Sequence, residues 1–248
     1  MILFFRQSLL SLDREVNEKL QIQKDYLEQL NNTYEGTLKA LAYMLDLRDH
    51  GTWGHSARVV SYALALAEQI GLAEDDLRQL AWAGLLHDIG KIGIPDSILF
   101  KPTALNKEEW ENIKRHPTIG YRVIQEIDFL KFAADIVLSH HERFDGTGYP
   151  QGLKGDEIPP GARIFAVADA LDAMTSDRPY RMAQPMEKAL KEIGRLAGTQ
   201  FCPQSVAALE KLGIESLKRI HQEVKNISDV VSMRRGVDPL ISICRFDQ

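Results

Sequence analysis

Histidines and aspartates recur in this chain where helices would end. His87-Asp88 closes an apolar stretch and runs into Ile89-Gly90-Lys91. One neutral ring nitrogen beside a carboxylate with two oxygens is a mixed donor set, better suited to iron, manganese or zinc than to calcium or magnesium. A buried carboxylate also needs a cation or a dense set of donors, since leaving it unpaired costs several kcal/mol. His55 stands one turn ahead of Val59 on an apolar face, and His116 directly precedes Pro117. His140-His141 ends another apolar run, where adjacent rings can turn toward one site; within a helix they would diverge by about 100°. Asp169 and Asp172 lie one turn apart beside an apolar stripe. Each of these residues alone reads as a hydrogen-bonded core residue. Together His55, His87, Asp88, His116, His140, His141 and Asp169 exceed what one tetrahedral ion uses and match two ions sharing a carboxylate. Two ions about 3.5–4 Å apart activate water and stabilise both oxygens of a phosphoryl displacement. His50 and His221 fall outside the pattern.

The elements that must position these residues read as helices throughout, so the expected class is all-α. From about Asp13 to Leu45 the chain lacks proline, and Leu20, Leu27, Leu30, Tyr34, Leu41 and Met44 fall at alternating three- and four-residue steps, with Gln23 and Thr37 as polar interruptions. That is a coiled-coil seam, the mark of a long helix that dimerises and couples an upstream sensor or receiver domain to the domain after it. A second helix is expected from His55 to Gly71, and a third from about Ala73 to Asp88, with Leu80, Ala83 and His87 stacked on one face. Asn106 with Glu109 resembles a capping box opening a helix at Lys107, interrupted at His116-Pro117. An apolar helix from Phe129 to Leu138 leads to His140. After it, Arg143 to Leu153 is a glycine-rich loop, the kind of backbone that ligands approach. Further helices are expected from Pro160, from Met186 to Ala197, from Pro203 to Leu212 and from Glu215 to Met233. Gly236 to Cys244 has some strand character.

Composition narrows the function classes. Across 248 residues, 44% hydrophobic and 26% charged content are ordinary for a soluble protein, and a net charge of −5 argues against a nucleic-acid polymer as partner. Cys202 and Cys244 are too far apart for a disulfide framework or a cysteine zinc site, which fits a reducing, cytoplasmic setting. No stretch reaches the length of a membrane span. The apolar start, Met1 to Phe5, lacks the features of a signal peptide and fits the cut edge of a longer protein.

The order His55, His87-Asp88-Ile-Gly-Lys91, His116, His140-His141-Glu-Arg-Phe-Asp-Gly-Thr-Gly-Tyr-Pro150, Val167-Ala-Asp169 and Asp177-Arg-Pro-Tyr-Arg181 resembles the HD-GYP family. These are bacterial cyclic di-GMP phosphodiesterases within the HD superfamily of metal phosphohydrolases. The resemblance covers roughly Leu38 to Leu212 and implies an HD-type helical bundle (38–212) between a signalling and dimerisation helix (1–37) and a C-terminal extension without an assigned role (213–248). It implies two divalent ions, iron or manganese. One would take His55, His87, Asp88 and Asp169; the other would take His116, His140 and His141, with Asp88 bridging. A hydroxide between the metals would attack cyclic di-GMP and give pGpG, or GMP after a second cut. By the same resemblance Lys91 contacts the scissile phosphate or protonates the leaving 3′ oxygen. Arg178 and Arg181 hold phosphates through planar guanidinium forks. Gly148, Tyr149 and Pro150 shape the pocket wall.

Three positions depart from the family pattern. Gly51 stands where some members carry a glutamate for a third metal, Asp46 where many have glutamate, and Cys202 where many have aspartate. Only the first bears on metal count. The same ligands would also serve hydrolysis of another cyclic dinucleotide or nucleotide phosphoester. A non-catalytic cyclic di-GMP receptor signalling through the coiled coil is the reading of a different class, and the complete ligand set argues against it.

Overall fold

A computed structural model describes residues 2–48, 54–177 and 182–233, and among them every regular element is helical. Arg178, Arg181, His50, Gly51 and the Gly236–Cys244 tail lie outside the described residues. Two compact units divide the chain, 1–41 and 42–248. The first is part of α1, which runs from Ile2 to Arg48, longer than the seam alone predicts. No proline occurs in this stretch, and the helix needs no seam spacing to propagate once nucleated. Leu20, Leu27 and Tyr34 are exposed along it, at 58%, 53% and 50%.

The second unit holds the last turns of α1, where Ala42 and Leu45 are buried, and ten further α-helices among its described residues. Helix α2 (His55–Ile70) ends at Gly71 in the left-handed conformation, where the Gly71 N–H satisfies carbonyls at Ala67 and Glu68. Helix α3 (Glu74–Leu86) starts with three acids, Glu74, Asp75 and Asp76, at the positive end of its dipole. A 3-10 turn (Ile89–Gly93) and the short α4 (Asp96–Leu99) come next. The expected capping box opens α5 (Lys107–Ile113): Asn106 Oδ1 accepts from the Glu109 N–H at 2.9 Å, and Glu109 accepts from the Asn106 N–H at 2.8 Å. The chain resumes as α6 (His116–Ile124), with Pro117 in its first turn, where a missing N–H costs nothing. After a 3-10 turn (Asp128–Leu130) come α7 (Lys131–Ser139), α8 (Pro160–Thr175), α9 (Met186–Arg195), α10 (Pro203–Leu212) and α11 (Ile214–Met233).

The core lies where α2 packs against α3 and α8, with α7 closing the far side of α3 and α6. Tyr62, Leu66, Leu80, Phe165 and Leu171 are fully buried there, each worth roughly 1.5–3 kcal/mol of apolar burial. No helix among the described residues is long and apolar enough to cross a membrane.

Candidate metal centre

A helix leaves its last four carbonyls without partners. Three helix ends in this fold meet that need in part with a histidine. His87 lies just past α3 and donates Nδ1–H to the Gly84 carbonyl at 2.9 Å. His116 lies past α5 and does the same to Ile113 at 2.8 Å. His140 lies past α7 and reaches Val137 at 2.6 Å. A carbonyl only accepts, so each Nδ1 carries a proton, and in the neutral ring it is Nε2 that keeps a lone pair facing the space where the three helix ends converge.

The lone pairs face one another. His116 Nε2 lies 3.3 Å from His140 Nε2, close enough for both nitrogens to reach one cation. Asp88 stands between two groups of donors. Its Oδ2 is 3.1 Å from His87 Nε2, and its Oδ1 is 3.4 Å from His116 Nε2. His55, at the start of α2, turns Nδ1 to Asp172 Oδ2 at 2.7 Å and Nε2 toward Asp169 Oδ1 at 3.6 Å. His55, His87 and Asp88 thus form one cluster with Asp169 at its edge, and His116, His140 and His141 form a second. The chemistry of this donor set, neutral imidazole nitrogens and carboxylate oxygens aimed inward from capped helix ends, fits divalent cations.

Electrostatics say the same. Burial and the neighbouring imidazoles push His140 well below the ordinary histidine range, and burial first, then His116, takes His141 down to about 4. Burial also lowers His116. These rings are therefore neutral, as ligands must be. Burial would lower His87 as well, yet the Asp88 carboxylate outweighs it and holds the ring up at about 9. Burial would raise Asp88, but His87 and Lys91 keep it well below the usual carboxylate range. Lys91 Nζ sits 2.7 Å from Asp88 Oδ2.

These shifts predict a stability optimum. Between about pH 4 and 6.5 the unfolded chain binds a proton that folded His141 refuses, so stability falls as pH drops. Between about 6.5 and 9 folded His87 holds a proton that the unfolded chain has released, so stability falls as pH rises. Chelator-treated protein is expected to melt highest near about pH 6.5. A melting temperature that climbed steadily across the whole range from acid to alkaline pH would contradict this.

Gly90 explains how the tight turn after Asp88 brings the two clusters together. The 3-10 turn runs so close to α6 that a Cβ at Gly90 would collide with the His116 carbonyl oxygen and come within 2.6 Å of the Gly120 nitrogen. At Gly148 a Cβ would collide with the Arg143 nitrogen. The glycine lets the loop fold back so that the Tyr149 N–H meets the His141 carbonyl at 3.2 Å, and the Tyr149 ring lies 4.8 Å from the His141 ring. Tyr149 and the cluster residues His140, His141 and Asp169 border a cleft of about 370 Å³ that Met174 and Gln200 also line. A larger cavity of about 630 Å³, beside Thr175, Met186 and His221, holds none of the candidate ligands.

Two buried acids belong to the site although sequence reasoning does not place them there. Glu142, 4% exposed, accepts the backbone N–H groups of Gln151, Gly152 and Leu153 at 2.7, 3.1 and 3.1 Å and so pins the loop. An acid between a histidine pair and a glycine-rich loop is the available signal. Burial would raise Asp172, but hydrogen bonds from His55 and Arg58 bring it down to about 2. Its only hint in sequence is the one-turn spacing from Asp169.

A family model described as HD domain matches residues 39–204. The "Cyclic di-GMP phosphodiesterase" of Thermotoga maritima is 42% identical over 205 residues, covering 80% of this chain and 56% of that protein. The "Cyclic di-GMP phosphodiesterase response regulator RpfG" of Xanthomonas campestris is 44% identical over 195 residues, covering 77% of this chain and 52% of that protein. The chain thus spans about half the length of these curated relatives. Among solved structures, a Vibrio cholerae cyclic GMP-AMP phosphodiesterase (V-cGAP3) superposes with a TM-score of 0.61 at 22% identity, over 79% of this chain and 52% of that one. The last likeness bears on fold.

Proposed function

From a chain that belongs to the HD-domain family, we propose a metal-dependent phosphodiesterase that opens cyclic di-GMP to linear pGpG, with cleavage to GMP as the alternative end point. The observation that carries this reading is Asp88, whose two oxygens face different histidine clusters. His55, His87, Asp88 and Asp169 would hold one ion, and His116, His140 and His141 with Asp88 the other. When bound, two divalent ions lower the pKa of a water between them and offset charge on the phosphoryl oxygens. Iron or manganese suits the nitrogen–oxygen donors.

The protein's own groups do the rest. Asp88 keeps the two clusters at a fixed separation. The ammonium of Lys91, 2.7 Å from Asp88 Oδ2, contacts the scissile phosphate or gives a proton to the leaving 3′ oxygen. As the water oxygen bonds to phosphorus and gives up a proton to solvent, the bond to O3′ breaks, and a proton from Lys91, which the amine regains from solvent, or from water completes the free hydroxyl. Gly148, Tyr149 and Pro150 wall the cleft, with Tyr149 set against His141. Arg178 and Arg181 hold the dinucleotide's phosphates. The assay is hydrolysis by manganese-loaded protein, with cyclic di-GMP competing against cyclic GMP-AMP. Loss of cyclic di-GMP to pGpG supports the reading; two bound ions without turnover of either would leave a receptor.

Roles divide by kinetics. Alanine at Lys91 is expected to lower kcat, because only the reacting group changes charge in the transition state, whereas alanine at Arg178 or Arg181 mainly raises KM. Steady-state rates of the three variants check this; unchanged constants in all of them would refute it.

We assign 38–212 to catalysis and 1–37 to signalling, with an upstream sensor or receiver domain as its source. The exposed Leu20, Leu27 and Tyr34 form a stripe that suits a second copy of α1 in a parallel dimer. Lysine at both Leu27 and Leu30 should yield monomers by light scattering, and an unmodified chain that is monomeric at micromolar concentration would contradict the dimer. The widely spaced cysteines suit the cytoplasm.

A further inference from the structure

We propose that Asp172, braced by Arg58, is the positioning residue for His55, and that it sets the affinity of the His55–His87–Asp88 cluster while leaving the His116–His140–His141 cluster alone. The inference rests on the two-ion reading above. Asp169 and Asp172 stand three residues apart on α8 and so share a face. His55 is caught between them: Nδ1 is 2.7 Å from Asp172 Oδ2, and Nε2 is 3.6 Å from Asp169 Oδ1. One carboxylate thus orients the ring, and the other lies beside the nitrogen left to bind.

The orienting carboxylate is itself held. Asp172 is 1% exposed. Besides the His55 N–H it accepts from Arg58 Nε at 2.5 Å, from Arg58 Nη2 at 3.2 Å and from Ser176 Oγ at 3.0 Å. Arg58 comes three residues after His55 on α2, so one helix face grips the same carboxylate twice. A buried ion pair is a weak device for stability alone, because desolvation offsets most of the attraction. Here it has a geometric consequence. His87, His116 and His140 are oriented by backbone carbonyls at helix ends. His55 instead is oriented by a charged side chain, which makes its ring a stronger electron donor and makes its position depend on one residue.

Removing such an outer partner typically weakens metal binding about 10–100-fold. The test titrates Mn²⁺ into the full chain, counting ions bound and tracking the magnetic coupling of the ion pair by electron paramagnetic resonance. Asp172→Asn should weaken one ion about 10–100-fold and the other less than about twofold, and the pair signal should then require excess Mn²⁺. Arg58→Lys, which keeps the charge, should restore most of the affinity relative to Arg58→Met. If Asp172→Asn does not fold, the double variant Arg58→Met/Asp172→Asn, which buries no lone charge, carries the same expectation. Equal weakening of both ions, or no weakening, would overturn the proposal. An unmodified chain that binds no Mn²⁺ would overturn the two-ion reading, and this inference with it.

Discussion

Asparagine at Asp88 is expected to lower turnover about a thousand-fold, since several kcal/mol of charge stabilisation at about 1.4 kcal/mol per tenfold are at stake. The substitution preserves shape and replaces one oxygen with an amide nitrogen that cannot ligate a cation. Whichever way the amide turns, one side of the bridge is lost, because Oδ2 serves His87 and Lys91 while Oδ1 faces His116. Metal content should fall by at least one ion per chain. The helical circular dichroism should remain, since Asp88 sits at a helix end and not in the apolar core. Cyclic di-GMP hydrolysis at near the unmodified rate by a two-ion Asp88→Asn protein would defeat the assignment.

Alanine at Gly90 is expected to be the most disruptive single methyl group in the second unit. Its Cβ would strike the carbonyl of His116 and crowd the Gly120 nitrogen, both backbone atoms that cannot rotate away. The 3-10 turn and α6 must then separate, at a cost of about 3 kcal/mol, which lowers the melting temperature by roughly 10 °C in a protein of this size. Because α6 carries His116, the second cluster should lose metal as well. Gly36 provides the contrast. It lies within α1, where an added Cβ would meet nothing within 4 Å, so alanine there should stabilise by up to about 1 kcal/mol. Thermal unfolding of chelator-treated variants separates packing from metal loss; equal melting points for the two would contradict the close approach at Gly90.

Features legible in the sequence are those whose cause is local. The capping box at Asn106, the left-handed stop at Gly71 and the proline that opens α6 each depend on residues within one turn. The ligand types are legible too, because five histidines and two aspartates at helix ends and inward faces are more than isolated core residues explain. That His87, His116 and His140 each cap the carbonyl three residues back could be inferred from the same positions. Features with distant causes are not legible. Asp172 finds Arg58 and His55 more than a hundred residues away. Gly90 is required by α6, whose path past the 3-10 turn is decided by tertiary packing. Glu142 acts on a loop whose return to it depends on Gly148 lying against Arg143. The helix α1 extends beyond its seam because propagation needs only the absence of breakers.

Two ions are expected, one on either side of Asp88. Anomalous diffraction at the iron and manganese edges, from crystals of protein kept under reducing conditions, measures this directly. Two peaks per chain are expected: one among His55, His87, Asp88 and Asp169, the other among His116, His140, His141 and Asp88. A single peak, or a third fully occupied peak near Gly51, would contradict it.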